Sequence, residues 1–507
     1  MVREHIPPRV YGTVGWDKAS QRATGAAGAA AAYLSVARPS LTPMAADRVF
    51  APGRRSLTAG LIGVVTLVAL EALAVATVMP LVERDLGRLD LYGWVFSAFF
   101  LGQLVGIVVA GRLADRVALA VPFTAGLVLF GVGLALAGLA STMAVLVLAR
   151  ALQGLGAGAL PSGAYVAIGR GYPHELRPRM FALLSTAWVV PSLVGPALAG
   201  VVGEAAGWRW VFLGLLPPLA AIGAWSAAAL RRLPAPLHPE VRPGVRDAVV
   251  LALGATAFLV GLGLDGRPLL GLVLAAVGLV AAVPAFRRLT PRGTLRVAAG
   301  MPAAVAVRGV LTFAFFSTDA WVPFALTTVR GLPVVVGGIT LTAATLAWTA
   351  GAWMQERLVH RRGPRWLVRR GFAGVAVGVM AATGALVDAV PAVVGIAGFA
   401  LAGSGMGLAY APLSLTVLAL ATPGREGEAT ASLQLSDTLG IALGTGVAGA
   451  IVAVLTGLGA SERVGVAAVF GLSVTVAAVG VVVGGRLPEL LGGSQRQAVD
   501  QDASVET

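Results

Sequence analysis

Residues 58–80 read TAGLIGVVTLVALEALAVATVMP, a run of 23 residues whose only charged side chain is Glu71. A helix that crosses the hydrocarbon core of a bilayer needs about 20 consecutive, mostly apolar residues. The run therefore predicts a transmembrane helix. It also predicts that this helix carries a carboxyl group near its middle, where a charge is costly and usually has a function.

The remainder of the chain has the composition of a protein with many such helices. Of its 507 residues, 57% are hydrophobic and 12% are charged, and the mean hydropathy is +0.84. Soluble proteins have about 25% charged residues, so this chain cannot cover the surface of a water-soluble globule. The absence of cysteine excludes disulfides and cysteine-ligated metal sites. The only lysine, Lys18, lies near the N terminus, which excludes a lysine-containing ATP-binding loop.

Thirteen further apolar segments follow the first, so the sequence predicts an all-α membrane protein with fourteen transmembrane helices. These segments are 92–111, 121–140, 143–165, 179–202, 208–230, 247–264, 268–286, 301–325, 332–354, 371–388, 392–417, 431–455 and 465–485. Their order suggests two pseudo-symmetric six-helix bundles with a two-helix insertion between them. In transporters built from paired halves, the substrate site lies between the halves.

The sequence divides into five regions on this interpretation. They are a flexible cytoplasmic N-terminal tail (1–57), the first bundle (58–230), basic loops with the inserted hairpin (231–299), the second bundle (300–486) and a cytoplasmic C-terminal tail (487–507). Translation from Met44 instead of Met1 is an alternative, because Met44 lies 14 residues before the first predicted span.

The arginines predict the orientation in the membrane. If the N terminus is inside, 20 arginines fall in the inner loops and 6 in the outer loops. Cytoplasmic loops of membrane proteins are enriched in Lys and Arg. We therefore expect a multi-pass protein of the plasma (inner) membrane with both termini in the cytoplasm. The net charge of +14 then reflects topology and does not indicate a nucleic-acid partner.

Five ionisable residues lie well inside the predicted spans, where each of them needs a partner or a function. They are Glu71, Arg150, Arg308, Asp319 and Asp437. The carboxyl group of Glu71 could load and release a proton in a dry site, although a fixed contact between helices is the alternative. Arg150 does not deprotonate, so it must pair with an acid, face water or bind backbone carbonyls.

The other three ionisable residues fall in the second half. Arg308 and Asp319 are eleven residues apart, which places them on one helix face about 16 Å from each other. They could line one cavity at different depths. Aromatic residues around Asp319, including Phe316 and Trp321, would suit a lipophilic cation, but they could also face lipid. Asp437 is expected to extend towards the cytoplasmic interface.

Several motifs in order resemble those of the major facilitator superfamily, in particular the fourteen-helix drug:proton antiporter branch. Residues 146–158, LVLARALQGLGAG, match the fourth-helix motif through Arg150, Gln153 and Gly154. Residues 71–80 keep the acid and the proline of the first-helix motif but lack its Thr and Asn.

Three shorter motifs extend the resemblance. Residues 111–116, GRLADR, match the first part of a loop motif through Asp115 and Arg116, and the rest of that motif is missing. Residues 357–365 resemble its second-half copy and include Arg361. The fifth-helix antiporter motif resembles GPALAG, which contains Gly195, Pro196 and Gly200.

The resemblance implies a proton-coupled exporter of hydrophobic or amphipathic small molecules such as drugs. It assigns proton coupling to Glu71 and Arg150, to which we add Asp319. The expected cavity residues are Glu71, Trp188, Arg308, Phe316, Asp319 and Trp321. The motif residues expected to act in the conformational change are Asp115, Arg116, Gln153, Gly154, Gly195, Pro196, Gly200 and Arg361.

We expect a monomer that is surrounded by membrane lipid and driven by the proton gradient. We expect no metal, cofactor, nucleic-acid partner or enzymatic activity. A transporter of one metabolite or lipid within the same superfamily is an alternative, and a membrane sensor or channel is another. A channel would conduct ions without saturable counterflow.

Overall fold

The structure, a computed structural model, begins in the loop before the first helix. It describes residues 49–51, 54–233, 244–264, 266–422 and 425–489. Most of both predicted tails lies outside the described residues. The two alternative start residues, Met1 and Met44, also lie outside them. The described residues from Arg54 onward belong to one compact unit.

The first half folds into α-helices joined by short turns. In order these are α1 (Arg55–Leu86), α2 (Tyr92–Ala114), α3 (Ala120–Gly138), α4 (Met143–Gly171), α5 (Arg177–Thr186), α6 (Val189–Ala205), α7 (Arg209–Leu213) and α8 (Leu216–Leu230). The inserted hairpin consists of α9 (Val245–Leu262) and α10 (Pro268–Leu289). Single-turn 3₁₀ helices occupy Leu89–Leu91 and His174–Leu176.

The second half is also helical. They are α11 (Met301–Asp319), α12 (Val322–Phe324), α13 (Val334–Ala382), α14 (Ala392–Ala419), α15 (Glu426–Gly457) and α16 (Glu462–Val483). The connections include a π-helix at Ala325–Val329 and 3₁₀ turns at Thr294–Arg296, Thr383–Leu386 and Gly484–Arg486. The described residues contain no β-strand, which confirms the all-α prediction.

Twelve helices in the described part of the chain are long and apolar enough to cross a membrane. Two of the fourteen predicted spans do not meet these criteria. Segment 179–202 is divided into α5 and the 17-residue α6. Segment 371–388 lies beyond a kink in α13, where Gly363 has a φ of 70° and is followed by Pro364. A left-handed glycine before a proline breaks a helix, and the arginines that follow lower the hydropathy.

Glycines let the helices within each half approach closely. A Cβ at Gly154 of α4 would collide with the carbonyl oxygen of Phe99 in α2. In the second half, a Cβ at Gly444 of α15 would come within 2.7 Å of the carbonyl oxygen of Phe313 in α11. These contacts bring α4, which carries Arg150, close to α2, and they bring α11 close to α15.

The inserted hairpin packs across the line where the two halves meet. Helix α9 contacts both α2 of the first half and α15 of the second half. The contact consists of two apolar clusters. Their buried members are Leu104, Ala248, Leu251, Ala282, Ala285 and Leu435 in one cluster, and Leu101, Ala255, Leu259 and Ala442 in the other.

An aromatic cluster joins the halves at the end of the molecule where α1 ends and α2 begins. The ring of Tyr92 lies 4.6 Å from the ring of Trp321 and 5.4 Å from that of Phe324, measured between centroids. The Tyr92 hydroxyl donates a hydrogen bond of 3.2 Å to the carbonyl oxygen of Ala320. All three aromatic side chains are fully buried.

Two further hydrogen bonds join the halves at the same end. Arg84 Nη2 donates to the carbonyl oxygen of Thr327 over 3.0 Å. The backbone N–H of Val334, the first residue of α13, donates to Glu204 Oε1 over 2.6 Å. Together with the aromatic cluster, these bonds close this end of the molecule, which we call the closed end.

Candidate functional site

The first-half cluster consists of Glu71, Arg150, Gln153, Val95 and Phe99. Arg150 Nη1 donates to Glu71 Oε1 and, over 2.6 Å, to Gln153 Oε1. Arg150 Nε donates to the carbonyl oxygen of Val95, and the guanidinium carbon lies 4.1 Å from the centroid of the Phe99 ring. The sequence predicted that Arg150 needs such partners, and the structure supplies an acid, an amide, a carbonyl and an aromatic face.

Three helices place these side chains in the interior of the first half. Glu71 comes from α1, and the side chains of Glu71 and Arg150 are 1% and 3% exposed. Arg150 and Gln153 are three residues apart on α4, so they lie on one helix face. Gly154 brings α2 against α4 at Phe99. Glu71 Oε2 and Gln153 Nε2 have no hydrogen-bond partner among the described residues. Oε2 is thus the oxygen of the Glu71 carboxylate that remains open to a proton, whereas the Arg150 cation favours the ionised form.

The second-half cluster consists of Arg308, Asp437 and Tyr410, from α11, α15 and α14. Arg308 Nε donates to Asp437 Oδ1 over 2.8 Å, and Tyr410 Oη donates to Asp437 Oδ2 over 3.0 Å. Arg308 Nη1 donates to the Tyr410 carbonyl oxygen over 2.5 Å, and its guanidinium carbon lies 3.1 Å from the Tyr410 ring centroid. Sequence analysis missed this cluster.

Asp319 remains separate from both clusters. It is the last residue of α11, on the same helix as Arg308, and no hydrogen bond or ion pair to its side chain is found among the described residues. Phe316 contacts Trp348, with ring centroids 6.5 Å apart. Trp321 is fully buried in the aromatic cluster at the closed end, whereas Trp188 precedes α6 and is 46% exposed. The structure therefore does not gather the predicted cavity residues into one contact group.

The loop motif after α2 contacts the end of α4. Arg170 Nη2 donates to the carbonyl oxygen of Ala114 over 2.8 Å and lies 3.9 Å from Asp115 Oδ1. Both Arg116 and Arg361 have exposed side chains. The part of the motif that is present thus forms a contact within the first half.

The fifth-helix motif lies where α6 meets neighbouring helices. Gly195 faces Leu70, the residue before Glu71, and a Cβ there would come within 2.9 Å of the Leu70 side chain. A Cβ at Gly200 would come within 3.1 Å of Val335 Cα in α13, and the carbonyl oxygen of Pro196 approaches Gly338 of the same helix. The motif therefore borders the first-half cluster on one side and the second half on the other.

The chain belongs to the Major Facilitator Superfamily, whose family model matches residues 60–445. The multidrug transporter protein MdtP of Bacillus subtilis (strain 168) is 25% identical over 419 residues, which cover 78% of this chain and 75% of that protein. A probable multidrug-efflux transporter of Mycobacterium tuberculosis (strain ATCC 25618 / H37Rv) is 28% identical over 419 residues, with coverages of 77% and 86%.

Solved structures agree on the fold. A bacterial homologue of the human lysosomal transporter Spinster, crystallised in an inward-facing and unoccupied conformation, aligns with a TM-score of 0.62 and 15% identity over 85% of this chain and 96% of that chain. A D-xylose–proton symporter aligns with a TM-score of 0.59 and 14% identity, over 86% of this chain and 98% of the symporter chain. The all-helical transporter fold is thus shared at low sequence identity.

Proposed function

We propose that this protein is a proton-driven exporter of hydrophobic or amphipathic small molecules. The single observation that carries the proposal is the buried Glu71–Arg150 ion pair, in which Glu71 Oε2 has no partner. The names of the two relatives described above, a multidrug transporter and a probable multidrug-efflux transporter, support the choice of substrates. Family membership supports transport and argues against an enzyme.

Proton binding at Glu71 would alter the first-half cluster directly. Protonation neutralises the carboxylate and removes its charge–charge attraction to Arg150, which keeps Gln153, Val95 and Phe99 as partners. Since Glu71 is on α1 and Arg150 is on α4, the change loosens one helix relative to another. One proton that crosses the membrane at 100 mV supplies about 2.3 kcal/mol, which is enough for a more than tenfold substrate gradient.

The transport cycle would be alternating access of two six-helix bundles, with fourteen spans in total and both termini in the cytoplasm. The interrupted α5–α6 segment and the part of α13 after Gly363 are the two additional spans of this topology. In this orientation the closed end faces the outside. The cycle would open it and close the opposite end around a substrate.

Transport in proteoliposomes tests the proposal. We expect an imposed pH gradient to drive substrate movement by the native protein and to drive it much more weakly with Glu71→Gln, while substrate–substrate counterflow remains. Glu175→Gln is the matched control, because Glu175 is an exposed acid in the turn between α4 and α5. Gradient-driven transport by Glu71→Gln at the native rate would contradict the assignment. Conductance without saturable counterflow would identify a channel instead.

A further inference from the structure

We propose that Asp437 is a second proton-exchange site, so that this transporter moves two protons in each cycle. The proposal rests on the proposed function, since it adds a second site to the same proton-driven cycle. Its basis is that the second-half cluster repeats the construction of the first-half cluster in different residues and on different helices.

The two clusters share three components. In each, an arginine binds a carboxylate, a backbone carbonyl oxygen and an aromatic ring. For Arg150 these are Glu71, the carbonyl of Val95 and the ring of Phe99. For Arg308 they are Asp437 and both the carbonyl and the ring of Tyr410. The resemblance is in chemistry alone, because the acid is on the first helix of its half in one case and on α15 in the other.

The contacts of Arg308 explain how Asp437 could change its charge without destabilising the site. A buried cation that loses its only counterion costs several kcal/mol. Arg308 retains a 2.5 Å hydrogen bond to the Tyr410 carbonyl and the face of the Tyr410 ring when Asp437 becomes neutral. The guanidinium is therefore held in place independently of the carboxylate, as expected for a site that binds and releases protons.

Asp437 is also more accessible than Glu71. Its side chain is 14% exposed, against 1% for Glu71. The titratable groups that face it are Arg308 from α11, Tyr410 from α14 and, across the line between the halves, Tyr165 from α4. Helices α2, α9 and α16 also pack against α15, and none of their described residues makes a hydrogen bond or ion pair with Asp437.

The proposed step is a simple proton transfer. A proton from water binds to a carboxylate oxygen of Asp437, an O–H bond forms, and the ion pair becomes a contact between the Arg308 cation and a neutral carboxylic acid. When the cluster opens to the other side of the membrane, the same O–H bond breaks and the proton returns to water.

The decisive experiment measures the substrate ratio that the reconstituted full-length protein sustains at a series of imposed pH gradients, with the membrane potential clamped at zero. Each coupled proton contributes one log unit of substrate ratio per pH unit, so the native protein should give about two log units and Asp437→Asn about one. The double variant Arg308→Gln/Asp437→Asn should also give about one log unit per pH unit. It buries no unpaired charge, so it can replace Asp437→Asn in the experiment if that single variant does not fold.

The outcomes separate this proposal from the broader one. A native slope of one log unit, or a slope of two that Arg308→Gln/Asp437→Asn leaves unchanged, overturns the second site but leaves proton-driven export intact. If the native protein shows no response to the pH gradient, the proposed function itself fails, and this proposal with it.

A second variant tests the site without removing a charge. Tyr410→Phe removes the hydroxyl that donates to Asp437 Oδ2, a bond that favours the charged carboxylate. We expect the midpoint of the pH profile of transport to move to higher pH. Tyr172→Phe is the control, since Tyr172 Oη makes a comparable 2.7 Å hydrogen bond to Thr58 Oγ1 far from the cluster. An unchanged profile for Tyr410→Phe, or the same shift in both variants, would show a purely structural role.

Discussion

Arg150 shows how one residue can be both structural and functional. Its side chain is almost completely buried, yet it keeps a charge because an acid, an amide, a carbonyl and an aromatic ring surround it. Lysine could not replace it, because only a planar guanidinium reaches several acceptors and stacks on a ring at the same time. The pair with Glu71 therefore contributes to stability as long as both partners remain.

Removal of the arginine alone should destabilise the protein strongly. Arg150→Met leaves the Glu71 carboxylate buried without a counterion, and we expect a loss of roughly 3–5 kcal/mol. Glu71→Gln/Arg150→Met removes both charges and should be more stable than Arg150→Met alone. Thermal unfolding of the purified protein in one detergent, with all variants side by side, measures the difference. If the double variant unfolds at the lower temperature, the ion pair is not what stabilises the interior.

At the residue level, the sequence predicted single side chains better than their partners. Glu71 and Arg150 stand out because a charge in an apolar run is visible without a structure. Arg308 and Asp437 are 129 positions apart, and no local pattern links them. Asp437 was expected to extend towards the interface, and Arg308 was considered with Asp319, because helical periodicity reveals only neighbours on the same helix. The ring of Tyr410 is the signal that was missed.

At the level of helices, the positions were predicted and the interruptions were not. Most spans correspond to a helix, because a long apolar run has few alternatives in a membrane. The break between α5 and α6 lies at Ala187 and Trp188 and is marked by Pro191, because a proline ring clashes with the carbonyl of the residue four positions earlier. The kink at Gly363 is marked by a Gly-Pro pair. Pro161, in contrast, lies inside a continuous helix, so a proline alone does not reveal where a helix breaks.

The contact between α2 and α4 provides a test at this level. We expect Gly154→Val to separate the two helices, because its side chain would meet the backbone of Phe99, and to displace the ring that covers Arg150. Gly169→Ala is the matched control on the same helix, where a Cβ would have open space. Size-exclusion profiles and unfolding temperatures of the two variants provide the comparison. Equal stability would mean that the close approach is not required.

At the scale of the whole molecule, the observed conformation is one in which the two halves are in contact at the closed end. The aromatic cluster and two hydrogen bonds hold the halves together there. Alternating access requires all of these contacts to separate in each cycle.

A cross-link at the closed end should stop transport. The native chain contains no cysteine, so Glu204→Cys/Val334→Cys would introduce the only two thiols. We expect a short bifunctional thiol reagent to link them and to abolish transport, and each single-cysteine variant to remain active after the same treatment. Full transport by a completely cross-linked protein would show that the halves need not separate at this end.

The apolar character of the hairpin clusters has a mechanical consequence. The buried members of the two clusters where α9 meets α2 and α15 are all aliphatic, so a shift of one helix past another exchanges one dispersion contact for another of similar strength. Such contacts are not directional, so they do not fix the helices in one relative position. The hairpin can then keep lipid out of the joint while the halves turn, and the energy barrier of each turn falls on the aromatic and polar contacts at the closed end and on the hydrogen bonds from Ser97 to α15.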